Sequence, residues 1–412
     1  MVRQAVILAG GLGTRLGERS IGIPKPMQPV GGRPMLEYLL WNLKRHGVTD
    51  IVLSVGHLSD VIVDHFGDGK RFGLSIRYVQ EDSPAGTGGA LALCAPLLQE
   101  RFLFLNGDTM FDFNVLDLAL SAARSDALGC LALRKVDDVS RYGEVVLDGL
   151  TVSRFAEKPA PQPGLISGGV ALLKRQIVNR IPAAACSLEK DVFTPLAEAG
   201  LLAGKAYDGF FIDIGLPETL DDAQISVPAW QRKPALLLDR DGVLNINHGY
   251  VCSPDRFEWT RGAVAAVKAA NDAGLLVLVL TNQAGISRGY YTELQFQAFM
   301  EWINDQLRAE GAHLDGWYHC PHHPTEGLGD LKTDCDCRKP KPGMVRQAIA
   351  DWQLDPQRCL LLGDKRADLQ AGEACGVAGA LFDPAHDDLL ETVHQFVLPR
   401  LLAATKHSNS YF

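Results

Sequence analysis

A glycine-rich loop near the start of the chain has the composition of a phosphate-binding turn. It contains Gly10, Gly11, Gly13, Thr14 and Arg15. Glycines directly after a strand let backbone N–H groups approach an anion, and an arginine adds a charged fork for phosphate oxygens. Lys25, held between two prolines, supplies a second cation. The pattern predicts a phosphate site in which Arg15 and Lys25 are catalytic cations.

Two aspartates in the same half, Asp108 and Asp213, each follow an apolar run. Either one alone is as well explained by a helix cap. At the ends of neighbouring strands of an α/β sheet, both would meet at a ligand site. A Mg²⁺ held by the two carboxylates would offset the repulsion between reacting phosphates and orient an in-line displacement.

The second half contains a pair of carboxylates at positions i and i+2, Asp239 and Asp241. One can attack phosphorus while the other protonates the leaving oxygen and later activates water. Several groups further along would hold and neutralise a phosphate. They are Thr281 and Asn282 after a second apolar run and the cations Arg338 and Lys339, while the carboxylates of the segment 363–368 would bind Mg²⁺.

A third cluster combines cysteines with a histidine. Cys320, His322, Cys335 and Cys337 form a Cys₃His set, which predicts tetrahedral Zn²⁺ with no open position and a structural role. Because Cys337 directly precedes Arg338, zinc would fix the loop that aims the catalytic cations. The other six cysteines are interpreted as buried core.

The elements that position these residues alternate between short apolar runs and amphipathic stretches. We expect strands at 5–8, 51–55, 76–79 and 102–105, a helix at 35–46, and a second cycle of strands at 235–239, 275–280 and 359–362. This pattern predicts an α/β protein with two Rossmann-like domains, each a mainly parallel sheet flanked by helices. We expect domains at 1–228 and 234–400, a proline-containing linker at 229–233 and a polar tail at 401–412.

The composition excludes several classes of partner. A net charge of −9 without a basic stripe argues against nucleic acid. No apolar run reaches the length of a membrane span, and the first residues do not form a signal region. We expect a cytoplasmic enzyme, and the sequence leaves a homo-oligomer open.

The first half resembles nucleoside-diphosphate-sugar pyrophosphorylases, which join a sugar 1-phosphate to a nucleoside triphosphate and release pyrophosphate. The resemblance rests on the glycine-rich loop, on 24–26, 85–90, 105–108, 157–159 and 211–217. It implies that Asp108 and Asp213 bind Mg²⁺. It also implies substrate-binding roles for the loop residues and for Gln80, Gly86, Thr87, Gly143, Glu157 and Lys158. The motifs are most similar to guanylyltransferases acting on mannose-type and heptose 1-phosphates, which implies GTP.

The second half resembles the haloacid dehalogenase superfamily of phosphatases. The resemblance implies that Asp239 is the nucleophile, Asp241 the acid/base and Lys339 the phosphate clamp, with Mg²⁺ bound by Asp239, Asp241 and Asp364. It further implies substrate contacts from Thr281, Asn282, Arg338 and Lys365. With its zinc loop, the half is most similar to heptose 1,7-bisphosphate phosphatases, relatives of histidinol phosphatases.

Together the halves predict consecutive steps, because a phosphatase that yields a sugar 1-phosphate would supply a transferase that consumes one. The leading hypothesis is conversion of D-glycero-α-D-manno-heptose 1,7-bisphosphate to the 1-phosphate and then to GDP-heptose. Three alternatives remain. The sugar is of mannose or glucose type, the phosphatase acts on histidinol phosphate or another phosphomonoester, or the first half is a regulatory nucleotide-binding module.

Overall fold

The computed structural model describes residues 2–11, 13–156 and 160–406. The chain forms two compact units, Met1–Gln231 and Arg232–Phe412. In the described ranges, no helix combines the length and apolarity required to cross a membrane.

The first unit contains thirteen strands and six α-helices among its described residues. The strands are β1 (Gln4–Leu8), β2 (Pro29–Val30), β3 (Arg33–Pro34), β4 (Asp50–Val55), β5 (Ser75–Gln80), β6 (Arg101–Asn106), β7 (Thr109–Phe111), β8 (Gly129–Val136), β9 (Glu144–Asp148), β10 (Thr151–Ala156), β11 (Gly164–Lys174), β12 (Leu202–Tyr207) and β13 (Phe211–Asp213). The helices are α1 (Met35–Arg45), α2 (Ser59–Phe66), α3 (Gly86–Leu93), α4 (Val115–Ala123), α5 (Thr194–Glu198) and α6 (Pro217–Gln231).

Nine of these strands form one mixed sheet in the order β5-β4-β1-β6-β11-β8-β12-β10-β9. The four strands β5, β4, β1 and β6 are parallel, and β11 then runs antiparallel to β6. Side chains of β1 alternate between two apolar clusters, with Ile7 in one and Val6 in the other. The sheet is therefore covered on both faces, and the carboxyl ends of β1, β4 and β6 meet at one edge.

The second unit is built on a five-stranded, all-parallel sheet. Its strands, in the order β16-β15-β14-β17-β18, are β14 (Ala235–Leu238), β15 (Leu276–Asn282), β16 (Gly316–Cys320), β17 (Cys359–Gly363) and β18 (Ala378–Leu381). Its helices are α7 (Ala263–Asp272), α8 (Ala284–Ser287), α9 (Glu293–Ala309), α10 (Gly343–Trp352), α11 (Arg366–Glu373), α12 (Leu389–Thr392) and α13 (Leu398–Lys406).

The α/β class is confirmed, and the predicted strands and helix agree with the observed ones to within one or two residues at almost every end. The first sheet is mixed, because β11 and β10 run antiparallel to their neighbours whereas β8 and β12 pair parallel. Two boundaries differ from the expected ones. Residues 229–231 end helix α6, which contains Pro228, and residues 401–406 belong to α13. Burial of Val227 and the contact of Pro228 with Gly31 stabilise α6 beyond the proline.

Candidate active sites

A cavity of about 760 Å³ opens at the carboxyl edge of the parallel strands in the first unit. Its lining includes the predicted residues Gly10, Gly11, Gly13, Lys25, Gly86, Thr87 and Asp108, together with Gly56, His57, Glu81 and Asp82. The structure therefore brings the glycine-rich loop, the lysine and the first aspartate to one space.

Two of the glycines are required by close approach of the backbone. A Cβ on Gly10 would lie 3.0 Å from Glu81 Oε1 and 3.1 Å from the nitrogen of Gly56. Gly86 has a φ of +71°, and a Cβ there would lie 2.4 Å from the carbonyl oxygen of Cys186. A larger residue at either position would clash with the neighbouring loop and distort the lining of the cavity.

The two predicted metal aspartates meet through a short antiparallel ribbon made of β7 and β13. Asp213 pairs with Thr109, the residue after Asp108, and the N–H of Ile214 donates to the carbonyl oxygen of Asp108 at 3.0 Å. The N–H of Gly215 donates to Asp213 Oδ1 at 2.7 Å. The ribbon thus places both carboxylates side by side although they are distant in sequence.

Lys25 lies between these carboxylates. Its ammonium group forms an ion pair with Asp108 and lies 3.7 Å from Asp213 Oδ1. Burial, with the nearby Asp108 charge, raises the pKa of Asp213. Two half-buried carboxylates beside each other form a site for a cation. The pair therefore fits Mg²⁺, which prefers carboxylate oxygens, and Lys25 would then be available to phosphate.

The remaining predicted residues of this unit have different outcomes. Arg15 is exposed in the 3₁₀ segment Thr14–Ser20, and the side chain of Thr14 is not described. Gly143 has a φ of +86° and follows Tyr142, whose ring packs 6.5 Å from that of Phe211 in β13. Glu157 and Lys158 lie outside the described residues.

Gln80, predicted to recognise the base, is exposed at the end of β5 and is not among the residues that line the cavity. The next residue, Glu81, does line it and is held by Ser54 Oγ at 3.2 Å and by the N–H of Ala85 at 3.3 Å. Sequence reasoning missed Glu81 because the strand end could not be placed to the residue, although side chains alternate in direction along a strand.

In the second unit, Asp239 and Lys339 form a buried pair at the carboxyl end of β14. Lys339 Nζ lies 2.9 Å from Asp239 Oδ1 and 2.6 Å from Asp368 Oδ1, and donates to the carbonyl oxygen of Leu280 at 2.6 Å. Burial raises the pKa of Asp239 to about 6. Burial opposes the charge of Lys339, yet the two carboxylates outweigh it and raise its pKa. Lys339 is therefore a fixed cation beside the predicted nucleophile.

Asp239, Asp364 and Asp368 form the carboxylate cluster of this site. Among the described residues, Asp364 Oδ1 is buried without a hydrogen-bond partner, and Oδ2 lies 3.1 Å from Lys365 Nζ. An orphaned carboxylate oxygen beside a second carboxylate fits a bound Mg²⁺. Asp368 lies in the segment 363–368 predicted to offer carboxylates for Mg²⁺, although only Asp364 was singled out as a ligand. It is already engaged by Lys339 and by the N–H of Lys365.

The predicted metal ligand Asp241 is not part of that cluster among the described residues, because other groups hold its carboxylate. Arg240 Nη2 donates to both of its oxygens at 2.8 Å, Asn245 Nδ2 to Oδ1 at 3.1 Å, and Gln283 Nε2 to Oδ2 at 3.0 Å. This arrangement suits the predicted acid/base role better than metal ligation by the side chain.

The predicted phosphate-binding residues of this unit have different hydrogen-bond partners. The hydroxyl of Thr281 accepts from Gln283 Nε2 at 2.7 Å. The side-chain amide of Asn282 is hydrogen-bonded to the backbone of Lys339 at both its N–H and its carbonyl oxygen. Arg338 Nη1 donates to the carbonyl oxygen of His322 at 3.0 Å. Asn282 therefore positions the backbone of Lys339, and Arg338 is hydrogen-bonded to the cysteine-rich loop.

Cys320, His322, Cys335 and Cys337 come together as predicted, with all ligand atoms within 4.8 Å of one another. The Sγ atoms of Cys320 and Cys337 lie 3.4 and 3.1 Å from that of Cys335, and His322 Nδ1 lies 3.5 Å from Cys337 Sγ. A tetrahedral site with bonds of about 2.3 Å to sulfur has edges of about 3.8 Å. The four residues therefore fit Zn²⁺.

Comparison with known proteins finds a family for each half of the chain. A nucleotidyl transferase family model matches residues 4–228, and a HAD-hydrolase-like model matches residues 336–388. The chain belongs to the nucleotidyl transferase family and carries a HAD-type phosphatase domain after it. It is a fusion of a heptose-1-phosphate guanylyltransferase-like domain with a heptose bisphosphate phosphatase-like domain.

The individual relatives divide between the two halves. D-glycero-beta-D-manno-heptose-1,7-bisphosphate 7-phosphatase of Haemophilus ducreyi is 50% identical over 146 residues, which are 35% of this chain and 80% of the relative. D-glycero-alpha-D-manno-heptose 1-phosphate guanylyltransferase of Campylobacter jejuni is 38% identical over 221 residues, 52% of this chain and 96% of the relative. The crystal structure of HddC from Yersinia pseudotuberculosis is 33% identical, covering 55% of this chain and all of that one, with a TM-score of 0.50.

Proposed function

We propose that the chain catalyses two consecutive steps of nucleotide-activated heptose synthesis. The second unit removes the 7-phosphate of D-glycero-α-D-manno-heptose 1,7-bisphosphate, and the first unit transfers GMP from GTP to the heptose 1-phosphate. The observation that carries this proposal is the presence in one chain of two phosphate-handling sites, one suited to releasing a phosphate and the other to using a sugar phosphate. Because nucleoside triphosphates and reduced thiols are cytoplasmic, we place both reactions there.

In the transferase step, an oxygen of the sugar 1-phosphate attacks the α-phosphorus of GTP, and the bond to the β-phosphate breaks to release pyrophosphate. Lys25 neutralises the phosphates that meet at the cavity edge, and Arg15 and Lys158 supply further positive charge. Mg²⁺ held by Asp108 and Asp213 would reduce the repulsion between the reacting anions. The glycine-rich loop presents backbone N–H groups to the triphosphate.

In the phosphatase step, a carboxylate oxygen of Asp239 attacks the 7-phosphorus, and the bond to the sugar oxygen breaks. That oxygen takes the bonding electrons and a proton from Asp241, which releases the sugar 1-phosphate. Asp241 then accepts a proton from water as the water oxygen attacks the aspartyl phosphate, which frees orthophosphate and regenerates Asp239. Lys339 neutralises the phosphoryl oxygens, and Mg²⁺ at Asp239 and Asp364 would share that charge.

Guanine selectivity of the first unit is supported by Glu81. Guanine presents two N–H donors, on N1 and on its exocyclic amine, and a carboxylate is an acceptor only. Glu81 lines the cavity with its carboxylate half-buried, next to the loop that begins at Gly86. We infer that Glu81, not Gln80, selects the base.

The anomer must be tested directly, because the phosphatase relative is named for the β form and the guanylyltransferase relative for the α form. Consecutive steps require one anomer for both sites. We propose the α form, because the transferase product fixes the configuration at C1. A phosphatase that accepts only the β form would instead make the two activities metabolically separate.

The test supplies purified full chain with Mg²⁺, GTP and either the α or the β heptose 1,7-bisphosphate, and follows orthophosphate, pyrophosphate and nucleotide-sugar together. Orthophosphate first, then pyrophosphate and GDP-heptose from the α substrate alone, is the expected result. Orthophosphate without pyrophosphate from either anomer would contradict the proposed sugar or base. Activity on histidinol phosphate exceeding that on both heptose substrates would contradict the proposed phosphatase substrate.

A further inference from the structure

Arg240 lies between the two catalytic aspartates in sequence and has no exposed side-chain surface. A buried guanidinium loses its hydration, so its presence in a core needs compensation by opposite charge and hydrogen bonds. Its Nη2 contacts Asp241 Oδ1 and Oδ2 at 2.8 Å each and the carbonyl oxygen of Val251 at 2.6 Å. Among the described residues, all of its side-chain hydrogen bonds therefore come from one nitrogen.

The rest of the guanidinium group lies against aromatic rings. Its Cζ lies 5.6 Å from the ring centres of both Phe296 and Phe299, which are buried in helix α9. In the described part of the chain, Nε and Nη1 are buried without a hydrogen-bond partner. The aromatic faces compensate the cation in part and fix the plane of the group. Stability alone would favour an apolar residue at such a position.

We propose that Arg240 is a positioning residue that holds the carboxylate of Asp241 in the orientation from which it exchanges a proton with the leaving oxygen. This inference rests on the proposed phosphatase function. The planar guanidinium group, which packs against two aromatic rings, restrains both carboxylate oxygens. Asn245 and Gln283 each restrain one oxygen. The bond to Val251 also ties the loop after β14 to the same group. Arg240 itself contacts neither substrate nor metal in this mechanism.

The test compares Arg240→Lys with the wild-type full chain on two phosphomonoesters, heptose bisphosphate and p-nitrophenyl phosphate. The sugar alkoxide needs a proton as it leaves, whereas p-nitrophenolate does not. We expect kcat for the sugar phosphate to fall about 10- to 100-fold with KM little changed. The rate of the first-turnover burst of p-nitrophenolate should stay within about threefold of the wild-type rate. With this substrate, only the second half-reaction needs Asp241.

Arg256→Lys is the matched control, since Arg256 donates to the carbonyl oxygens of His248 and Gly249 in the same loop but does not contact Asp241. Thermal unfolding monitors folding. If Arg240→Lys does not fold, Phe299→Leu is the second variant, because it keeps the guanidinium group and removes one ring that packs against it. It should lower kcat for the sugar phosphate selectively, by a smaller factor than Arg240→Lys. Equal loss of the burst and of sugar phosphate turnover, or no loss, would overturn the positioning role. Wild-type chain that hydrolyses neither substrate would instead contradict the phosphatase function.

Discussion

The side-chain amide of Asn282 forms hydrogen bonds with both the N–H and the carbonyl oxygen of Lys339. Its Oδ1 accepts from the N–H of Lys339, and its Nδ2 donates to the carbonyl oxygen, each at 3.1 Å. Asn282 ends strand β15, so the parallel sheet itself sets the position of the loop that carries Lys339. The ammonium group of Lys339 reaches Asp239 from there.

Replacing Asn282 with leucine should lower phosphatase turnover about tenfold, because two hydrogen bonds that fix the Lys339 backbone are lost. Transferase activity in the same chain should not change. Orthophosphate release and pyrophosphate release, measured on one preparation, check both statements. Gln370→Ala, at an exposed position in α11, is the control. Unchanged phosphatase turnover in the leucine variant would show that Asn282 does not position Lys339.

Replacing Glu81 with glutamine should shift the nucleotide preference of the first unit away from GTP. An amide presents a donor where guanine also presents one, whereas uracil and thymine offer acceptors beside a single donor. We expect kcat/KM for GTP to fall about tenfold or more and the ratio of UTP to GTP use to rise. Asp60→Asn, which changes an exposed carboxylate of α2 outside the cavity lining, is the matched control. An equal effect of both variants on GTP use would contradict base reading by Glu81.

Removing zinc should lower both the stability and the activity of the second unit. Burial raises the pKa of the Cys320 thiol, so metal binding must compensate the deprotonation of that group. Chelation, or Cys337→Ser, should lower the unfolding temperature of this unit by about 4 °C or more and reduce orthophosphate release. Transferase activity should persist. Cys375→Ser tests a thiol outside the cluster. Intact folding and phosphatase activity after verified zinc loss would refute the structural role.

Replacing Asp108 with asparagine should reduce nucleotidyl transfer about 100-fold or more, because the carboxylate pair would lose half of its charge. Phosphatase activity should not change, since Asp108 belongs to the other unit. Asp126→Asn, in an exposed loop of the same unit, is the control. Equal loss of both activities would contradict two independent sites.

The sequence predicted the parallel strands well because each is a short, nearly continuous apolar run, such as Ala235–Leu238, that only a sheet covered on both faces accommodates. It also predicted that the four zinc-type ligands would meet, because their spacing limits the loop. The antiparallel entry of β11 was missed, since strand direction depends on pairing between distant segments and leaves no local pattern.

Side-chain roles were harder to predict than positions. Asp241 was expected at the metal, yet its oxygens are held by Arg240, Asn245 and Gln283. The choice between Gln80 and Glu81 depends on which of two neighbouring side chains points inward at the end of β5. Asp368 approaches Lys339 only because helix α11 turns it back toward the strand ends. Such contacts are set by tertiary packing, which sequence spacing alone does not contain.

Because the ribbon of β7 and β13 positions the two aspartates, the effect of an insertion on the transferase site depends on where it falls. Its register consists of three residue pairs, from Phe211 with Phe111 to Asp213 with Thr109. A one-residue insertion inside β13 would turn Asp213 to the opposite face and separate it from Asp108. By contrast, insertions in the exposed turn at Gly149 would leave the pairs untouched. The length of a turn such as the one at Gly149 can therefore change without separating Asp108 from Asp213, whereas the spacing within the ribbon cannot.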